Sequence, residues 1–186
     1  MTLEDIATEV RGCQRCHLSQ TRILSVPGQG PSQASIMLIG EAPGEKEDHS
    51  GVPFAGAAGR VLDDVLAFAG FERTEVFITS VIKCRPPKNR NPNRDEVEAC
   101  RYFLERQMDL IDPKVICIMG NVALQAYVDP HENIGRVRGK LLEHNGKVFF
   151  PIYHPAAILY NRSLEQTLKA DLSWLRSFLE TSVVSG

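Results

Sequence analysis

Three features are missing from this 186-residue chain: a long apolar run, an excess of one charge and a targeting segment. The longest apolar run, at 115–119, is far shorter than the roughly 20 residues that span a membrane, so no membrane partner is expected. The formal net charge of −2 excludes a histone-like or broadly basic nucleic-acid binder, although it leaves room for a local cationic patch. The segment after Met1 has the pattern of an acidic helix and not of a leader peptide, which predicts a cytoplasmic protein.

The composition, 43% hydrophobic and 24% charged, is typical of a globular protein, and we expect one domain over 1–186. Short apolar or β-branched runs predict buried strands at 35–39, 76–82 and 114–119. Helical spacing of apolar residues predicts helices at 56–69 and 93–110. Asn145-Gly146, between two apolar runs, predicts a hairpin, and 183–186 is predicted to be a frayed tail. This alternation predicts an α/β fold, a three-layer αβα sandwich with a largely parallel sheet.

Four of the five cysteines form two clusters, a Cys-x-x-Cys at Cys13 and Cys16 and a second pair at Cys84 and Cys100. If the fold brings the clusters together, four thiolates complete a site for zinc or an iron–sulfur cluster. Unrelated thiols or disulfides are the alternative, and the lack of a signal peptide disfavours disulfides. The spacing does not decide between zinc and iron–sulfur. Cys117 lies within an apolar strand and is expected to pack in the core.

A basic segment lies around the second cysteine pair, with five cations and no acid between residues 83 and 94: Lys83, Arg85, Lys88, Arg90 and Arg94. Most charge runs are simply solvated loops. A loop held in place by two metal ligands would instead suit contacts to phosphates, so this segment is a candidate DNA-binding surface.

Four sequence blocks follow predicted strands or join them: GEAPGEKED (40–48), GVPFAGAAG (51–59), ITSVIKCRPPKNRNP (78–92) and YHPAA (153–157). In open α/β sheets, sites form at the carboxyl ends of strands, which favours a catalytic site here. Together the blocks resemble the family 4 uracil-DNA glycosylases, the thermostable, iron–sulfur-containing branch of the superfamily, from Cys13 to about Leu175. The resemblance implies a central four-stranded parallel sheet, a [4Fe–4S] cluster on the four clustered cysteines, and excision of uracil from single- and double-stranded DNA by a monomer.

The resemblance also implies roles for residues of these blocks. Phe54 would stack on a flipped uracil, and His154 would donate a hydrogen bond to uracil O2 as negative charge develops there. Glu41 would orient water or offset positive charge on the sugar. Glu47 would exclude the methyl group of thymine, with an exposed acid as the alternative. Backbone N–H groups of the 40–44 loop would contact the base, which adds a set of substrate-binding residues: Gly40, Ala42 and Gly44.

Ser80 departs from the family pattern, because the family usually has an asparagine whose amide reads the uracil edge. A serine hydroxyl is shorter and makes fewer directed hydrogen bonds, which predicts weakened or altered base selectivity. A DNA protein that holds uracil without efficient cleavage is therefore an alternative function, and a zinc-bound phosphate-recognition module is a third.

Arg162 is a candidate phosphate contact, and residues 158–160 are candidates for insertion into the DNA helix, with an ordinary amphipathic turn as the alternative.

Overall fold

A computed structural model describes residues 1–184, so part of the predicted tail at 183–186 lies outside the described residues. Eight α-helices are described in this range: α1 Leu3–Arg11, α2 Glu45–Ser50, α3 Ala57–Phe68, α4 Arg94–Ile111, α5 Asn121–Tyr127, α6 Ile134–Val137, α7 Pro155–Tyr160 and α8 Leu164–Val184. Five strands are described with them: β1 Ile36–Gly40, β2 Phe77–Ser80, β3 Val115–Met119, β4 Leu142–His144 and β5 Lys147–Ile152. Among the described helices, none combines the length and apolar character needed to cross a membrane.

The strands form one sheet in the order β2-β1-β3-β5-β4. Four of them, β2, β1, β3 and β5, are parallel, which confirms the predicted α/β fold and the parallel core of the sheet. The fifth strand, β4, pairs antiparallel with β5 through the predicted hairpin. Asn145 and Gly146 both have positive φ, 50° and 74°, as a tight hairpin turn requires. The sheet therefore has one strand more than the four expected.

Successive residues of each strand alternate between two hydrophobic cores, one on each face of the sheet. On one face Met37, Ile39 and Ile116 belong to the core that includes residues of α4 and α5. On the other face Leu38 and Cys117 belong to the core that includes residues of α3 and α8. Helices on both faces of a mainly parallel sheet make the three layers that the sequence predicts.

Helix α1 connects the N-terminal cysteines to the rest of the fold. Thr2 caps it, since its Oγ1 accepts from Asp5 N at 3.1 Å and its own N–H donates to the Asp5 carboxylate at 2.7 Å. Ile6 and Val10 of α1 pack against Phe103 of α4. The chain leaves α1 at Gly12, so Cys13 follows at the end of a helix packed against α4.

Candidate active site

Three strands end at one edge of the sheet, and the segments that follow them enclose one cavity. Its volume is about 350 Å³, within the range usual for small-molecule sites. The predicted site residues that line it come from four separate parts of the chain: Glu41, Ala42, Gly44, Glu47, Phe54, Ser80, Arg90 and His154. The chain runs from β1 to β2 on one side and returns to β3 on the other, so the cavity lies where the strand order reverses.

Gly40 lies beneath the cavity and not on its wall, because the ring of Phe54 covers it. A Cβ at this position would lie 3.0 Å from Phe54 Cζ and 3.5 Å from Ser80 Oγ. The lack of a side chain at Gly40 therefore lets the aromatic ring and the serine hydroxyl approach the same point at the end of β1. This contact brings together two residues, Phe54 and Ser80, that are 26 positions apart in the sequence.

The rings of Phe54 and His154 stack against each other at the wall of the cavity. Their centroids are 5.5 Å apart and their planes are inclined by 28°. Phe54 has a φ of 51°, a left-handed conformation that bulky residues rarely adopt. Phe54 and His154 line the same cavity.

His154 presents a hydrogen-bond donor to the cavity. Its Nδ1 accepts from Ala156 N at 3.0 Å and so caps α7, which begins at Pro155. Burial lowers the pKa of His154 to about 4, which keeps the imidazole neutral near pH 7. A neutral ring whose Nδ1 accepts must carry its proton on Nε2, so Nε2–H is the free donor.

Two carboxylates near the cavity have different surroundings. Glu41, directly after β1, is half-buried, and burial raises its pKa, so its carboxylate is a better proton acceptor than an exposed one. Glu47 accepts from two backbone N–H groups, Gly44 N at 3.1 Å and Ala55 N at 3.1 Å. Glu47 thus ties the loop after β1 to the turn that carries Phe54, in addition to lining the cavity.

Several lining residues escaped the sequence reasoning, among them Lys46 and Asn89. Both lie inside the sequence blocks that carry the resemblance, so their position was the available signal. Lys46 is exposed at the cavity mouth, where its side chain passes Gly56, with Cγ 3.4 Å from the point that a Cβ would occupy. Asn89 accepts from Arg85 Nε at 2.8 Å. An exposed ammonium and an amide therefore lie beside the opening.

The four clustered cysteines, Cys13, Cys16, Cys84 and Cys100, line a second, small cavity between the end of α1 and helix α4. Arg22 organises this cavity: its guanidinium donates to Cys84 Sγ at 3.1 Å and to the carbonyl of Cys13 at 2.8 Å. Burial raises the pKa of Cys100 to about 11. Burial also raises the pKa of Cys84, whereas the hydrogen bond from Arg22 acts to lower it. Cys117 lies in the core on the opposite face of the sheet.

The donor set of this second cavity suits a thiolate-bound group. No carboxylate is among its described lining residues, whereas Arg15, Arg22 and Lys83 are, and cations near thiols favour the thiolate form. Within residues 1–184, no group of three or more His, Cys, Asp or Glu side chains forms a site that could hold a metal ion.

Lys83 is buried, which corrects the prediction that it lies on a DNA-binding surface. Its side chain is among the most deeply buried in the described chain, with 1% exposure. Its Nζ donates to Thr79 Oγ1 at 2.5 Å, to the Ser80 carbonyl at 2.9 Å and to Gln107 Oε1 at 2.8 Å. Burial lowers its pKa to about 7, although Cys100 and Cys84 act in the opposite direction. Lys83 therefore joins the end of β2 to α4 and cannot reach a phosphate.

The other predicted cations are nearer the surface. Lys88, Arg94 and Arg162 are exposed, and Arg85 is half-buried. Arg90 pairs with the buried Glu96, with Nη2 2.6 Å from Oε1, so the basic segment is less uniformly positive than the sequence indicates.

The segment after His154, which carries the residues proposed for insertion into DNA, forms the short helix α7. Ile158 is buried in the core and cannot insert into DNA, whereas Leu159 and Tyr160 are exposed by 49% and 92%. The two exposed side chains remain the candidates for insertion.

Comparisons with known proteins point to one family. The profile of the "Uracil DNA glycosylase superfamily" matches residues 27–176. A "Type-4 uracil-DNA glycosylase" of Sulfurisphaera tokodaii is 44% identical, with 97% of this chain and 86% of the relative covered. Proteins of the same name from Archaeoglobus fulgidus and Thermotoga maritima are 43% and 38% identical, with 91% and 96% of this chain and 89% and 95% of the relatives covered.

Proposed function

The chain belongs to the uracil DNA glycosylase superfamily, and from this membership we propose how its own residues hydrolyse the N-glycosidic bond of deoxyuridine in DNA. The product is an abasic site, and the enzyme is a monofunctional glycosylase. One observation carries the assignment: Phe54, Ser80, Glu41 and His154, from four separate segments, line the same cavity.

The substrate base must leave the DNA stack to reach this cavity, which costs a few kcal/mol of unstacking. The ring of Phe54, which packs against Gly40 and His154 and also lines the cavity, would recover part of this energy by stacking on the base. Ser80 Oγ beside it is in reach of a polar edge of the base. The base is therefore held by one face and one edge.

His154 supplies the electrostatic part of the mechanism. As the bond to the sugar breaks, negative charge develops on the uracil, and the Nε2–H of a neutral imidazole donates to O2 without giving up its proton. Since Nδ1 is already engaged by Ala156 N, the ring does not rotate when charge appears. A preorganised donor of this kind typically contributes about a hundred- to thousandfold in rate.

Glu41 acts on the sugar side. Its partly buried carboxylate, with a raised pKa, is suited to accept a proton from the attacking water and to offset the positive charge of the oxocarbenium-like sugar. Its position directly after β1 places it on the same cavity as Phe54 and His154.

The four clustered cysteines would hold a [4Fe–4S] cluster. Bound there, the cluster would supply a covalent clamp and no step of the hydrolysis. The clamp would join the end of α1, through Cys13 and Cys16, to the basic segment at Cys84 and to α4 at Cys100. Iron and acid-labile sulfide in equal amounts, near four each per chain, are expected in the purified protein. Zinc in place of iron would contradict this part of the proposal.

DNA is the proposed partner, in single- and double-stranded form, bound by a monomer that consists of one domain. The exposed cations Lys88, Arg94 and Arg162, with the half-buried Arg85, would contact phosphates. Phosphate contacts release counterions, so binding should weaken as salt rises. Lys46, exposed beside the cavity, would contact the phosphates next to the flipped nucleotide.

Ser80 supports a second candidate function, a protein that binds uracil in DNA with little turnover. Its hydroxyl makes fewer directed hydrogen bonds than the asparagine amide usual in the family, so recognition and alignment of the base would be weaker.

An oligonucleotide with a single uracil tests the proposal. We expect cleavage of the strand only after alkali treatment, with no product from a thymine-containing control. A stable complex without alkali-labile sites would favour the second function. Strand breaks without alkali would indicate a Schiff base, for which Lys46 is the lysine at the cavity.

A further inference from the structure

We propose that Arg73 is a positioning residue that holds the turn carrying Phe54 in its binding conformation; the inference rests on the proposed function. Arg73 lies in the 3₁₀ turn Arg73–Glu75, just before β2 and outside every sequence block that carries the resemblance. It does not line the cavity, and it acts on the base only through Phe54.

The guanidinium of Arg73 binds the two carbonyls on either side of Phe54. Nη2 donates to the Pro53 carbonyl, and Nη1 donates to the Phe54 carbonyl at 3.2 Å. The Nη1 group is also 3.0 Å from Asp63 Oδ1 on α3, a partly exposed ion pair of the kind that contributes little to positioning. The planar fork of arginine can span two neighbouring acceptors, whereas a lysine ammonium cannot do so with the same geometry.

These two carbonyls set the backbone angles of Phe54. The peptide plane between Pro53 and Phe54 determines φ of Phe54, and the plane between Phe54 and Ala55 determines its ψ. Arg73 holds the oxygen of both planes, and Glu47 accepts from the N–H of the second plane at 3.1 Å. A peptide flip at either plane therefore breaks at least one hydrogen bond.

The turn needs this support because Phe54 has a φ of 51°, which a phenylalanine rarely adopts. The turn also lies directly on α3, where a Cβ at Gly59 would be 1.7 Å from the Phe54 oxygen. The carbonyl thus faces the helix at close range, and only a residue without a side chain fits there. Without Arg73, relaxation to negative φ would move the ring away from Gly40 and His154.

The test uses Arg73→Met, which removes both donors, and Asp63→Asn as the matched control, which removes the acid but leaves the carbonyl bonds. We expect Arg73→Met to lower kcat/KM on uracil-containing DNA by about 10- to 100-fold. In the same variant the inhibition constant of free uracil should rise, whereas the affinity for uracil-free DNA should stay unchanged. Asp63→Asn should stay within about twofold of the wild type for each measurement. Arg73→Lys keeps a single donor group, so its kcat/KM should lie between the values for Arg73→Met and Asp63→Asn. It replaces Arg73→Met in these measurements if Arg73→Met does not fold.

A double-mutant cycle separates positioning from general stability. In a Phe54→Ala background, Arg73→Met should have no further effect on kcat/KM, because the ring it positions is gone. Equal losses in both backgrounds would overturn the inference.

A crystal structure of Arg73→Met gives a result that does not depend on the reaction. A changed φ at Phe54, with the ring displaced from His154, is expected. An unchanged turn would refute the role of Arg73 even if the wild type excises uracil. A wild type that excises no uracil would refute the proposed function and leave the structural result to decide on Arg73.

Discussion

Replacement of His154 by asparagine separates the two tasks that the structure gives to this ring. The asparagine oxygen can take the place of Nδ1 and accept from Ala156 N, so the cap of α7 is retained. The Nε2–H donor is lost. We therefore expect a fall in kcat of about a hundred- to thousandfold, with the free energy of unfolding near pH 8 almost unchanged.

The same substitution changes the pH dependence of stability. His154 has its pKa lowered from 6.5 to about 4 in the folded protein by burial, so between these values the unfolded chain binds more protons than the folded one. Stability is then fully present above pH 6.5 and is lost as the pH falls toward 4. At pH 5 the loss from this residue is about 2 kcal/mol. His154→Asn lacks this contribution.

Thermal unfolding of both proteins at pH 8 and pH 5 measures the effect. Carboxylates that titrate in this range are common to both proteins, so they cancel in the difference between them. The wild type should lose about 4–8 °C more in Tm than His154→Asn over this interval. Equal shifts in Tm would show that His154 titrates normally in the folded state, and the assignment of a neutral donor would then be wrong.

Two further substitutions test other parts of the site. Ser80→Asn should cleave uracil faster than the wild type, because an amide can both donate a hydrogen bond to the polar edge of the base and accept one from it. Hypoxanthine and thymine substrates serve as controls. Equal rates on uracil would show that Ser80 does not take part in base recognition. Lys83→Met should destabilise the fold by about 2–4 kcal/mol, since three buried acceptors lose their donor. The matched change at the exposed Lys88, Lys88→Met, should leave Tm unchanged, and equal Tm values for both variants would contradict the interior role of Lys83.

Helix and strand types were predictable because their signals are local. The apolar run before Gly40, the Asn145-Gly146 turn and the acidic helix after Met1 each depend on neighbours within a few residues, and each is found where expected. The gathering of Glu41, Phe54, Ser80 and His154 was also predictable, from a family resemblance and from the rule that parallel strands place their carboxyl ends at one edge.

The environment of single charged residues was not predictable in the same way. Lys83 sits in a run of cations, and its charge favoured the surface, yet the chain turns after β2 and places its ammonium among Thr79, Ser80 and Gln107. Glu47 was expected to lie beside the base, and the structure shows that its carboxylate accepts hydrogen bonds from the backbone of two loops. Arg73 carries no sequence signal at all.

The sequence by itself determined three of the parallel strands, the helices at α3 and α4, the hairpin and the two cysteine pairs, because these follow from periodicity, turn chemistry and spacing along the chain. The blocks that form the cavity were identified through the family resemblance. Only the tertiary structure decided which cations are buried, which nitrogen of His154 carries the proton and what holds Phe54 in place. The physical reason is that burial and hydrogen bonding of a side chain depend on groups far away in sequence, which packing alone brings within reach.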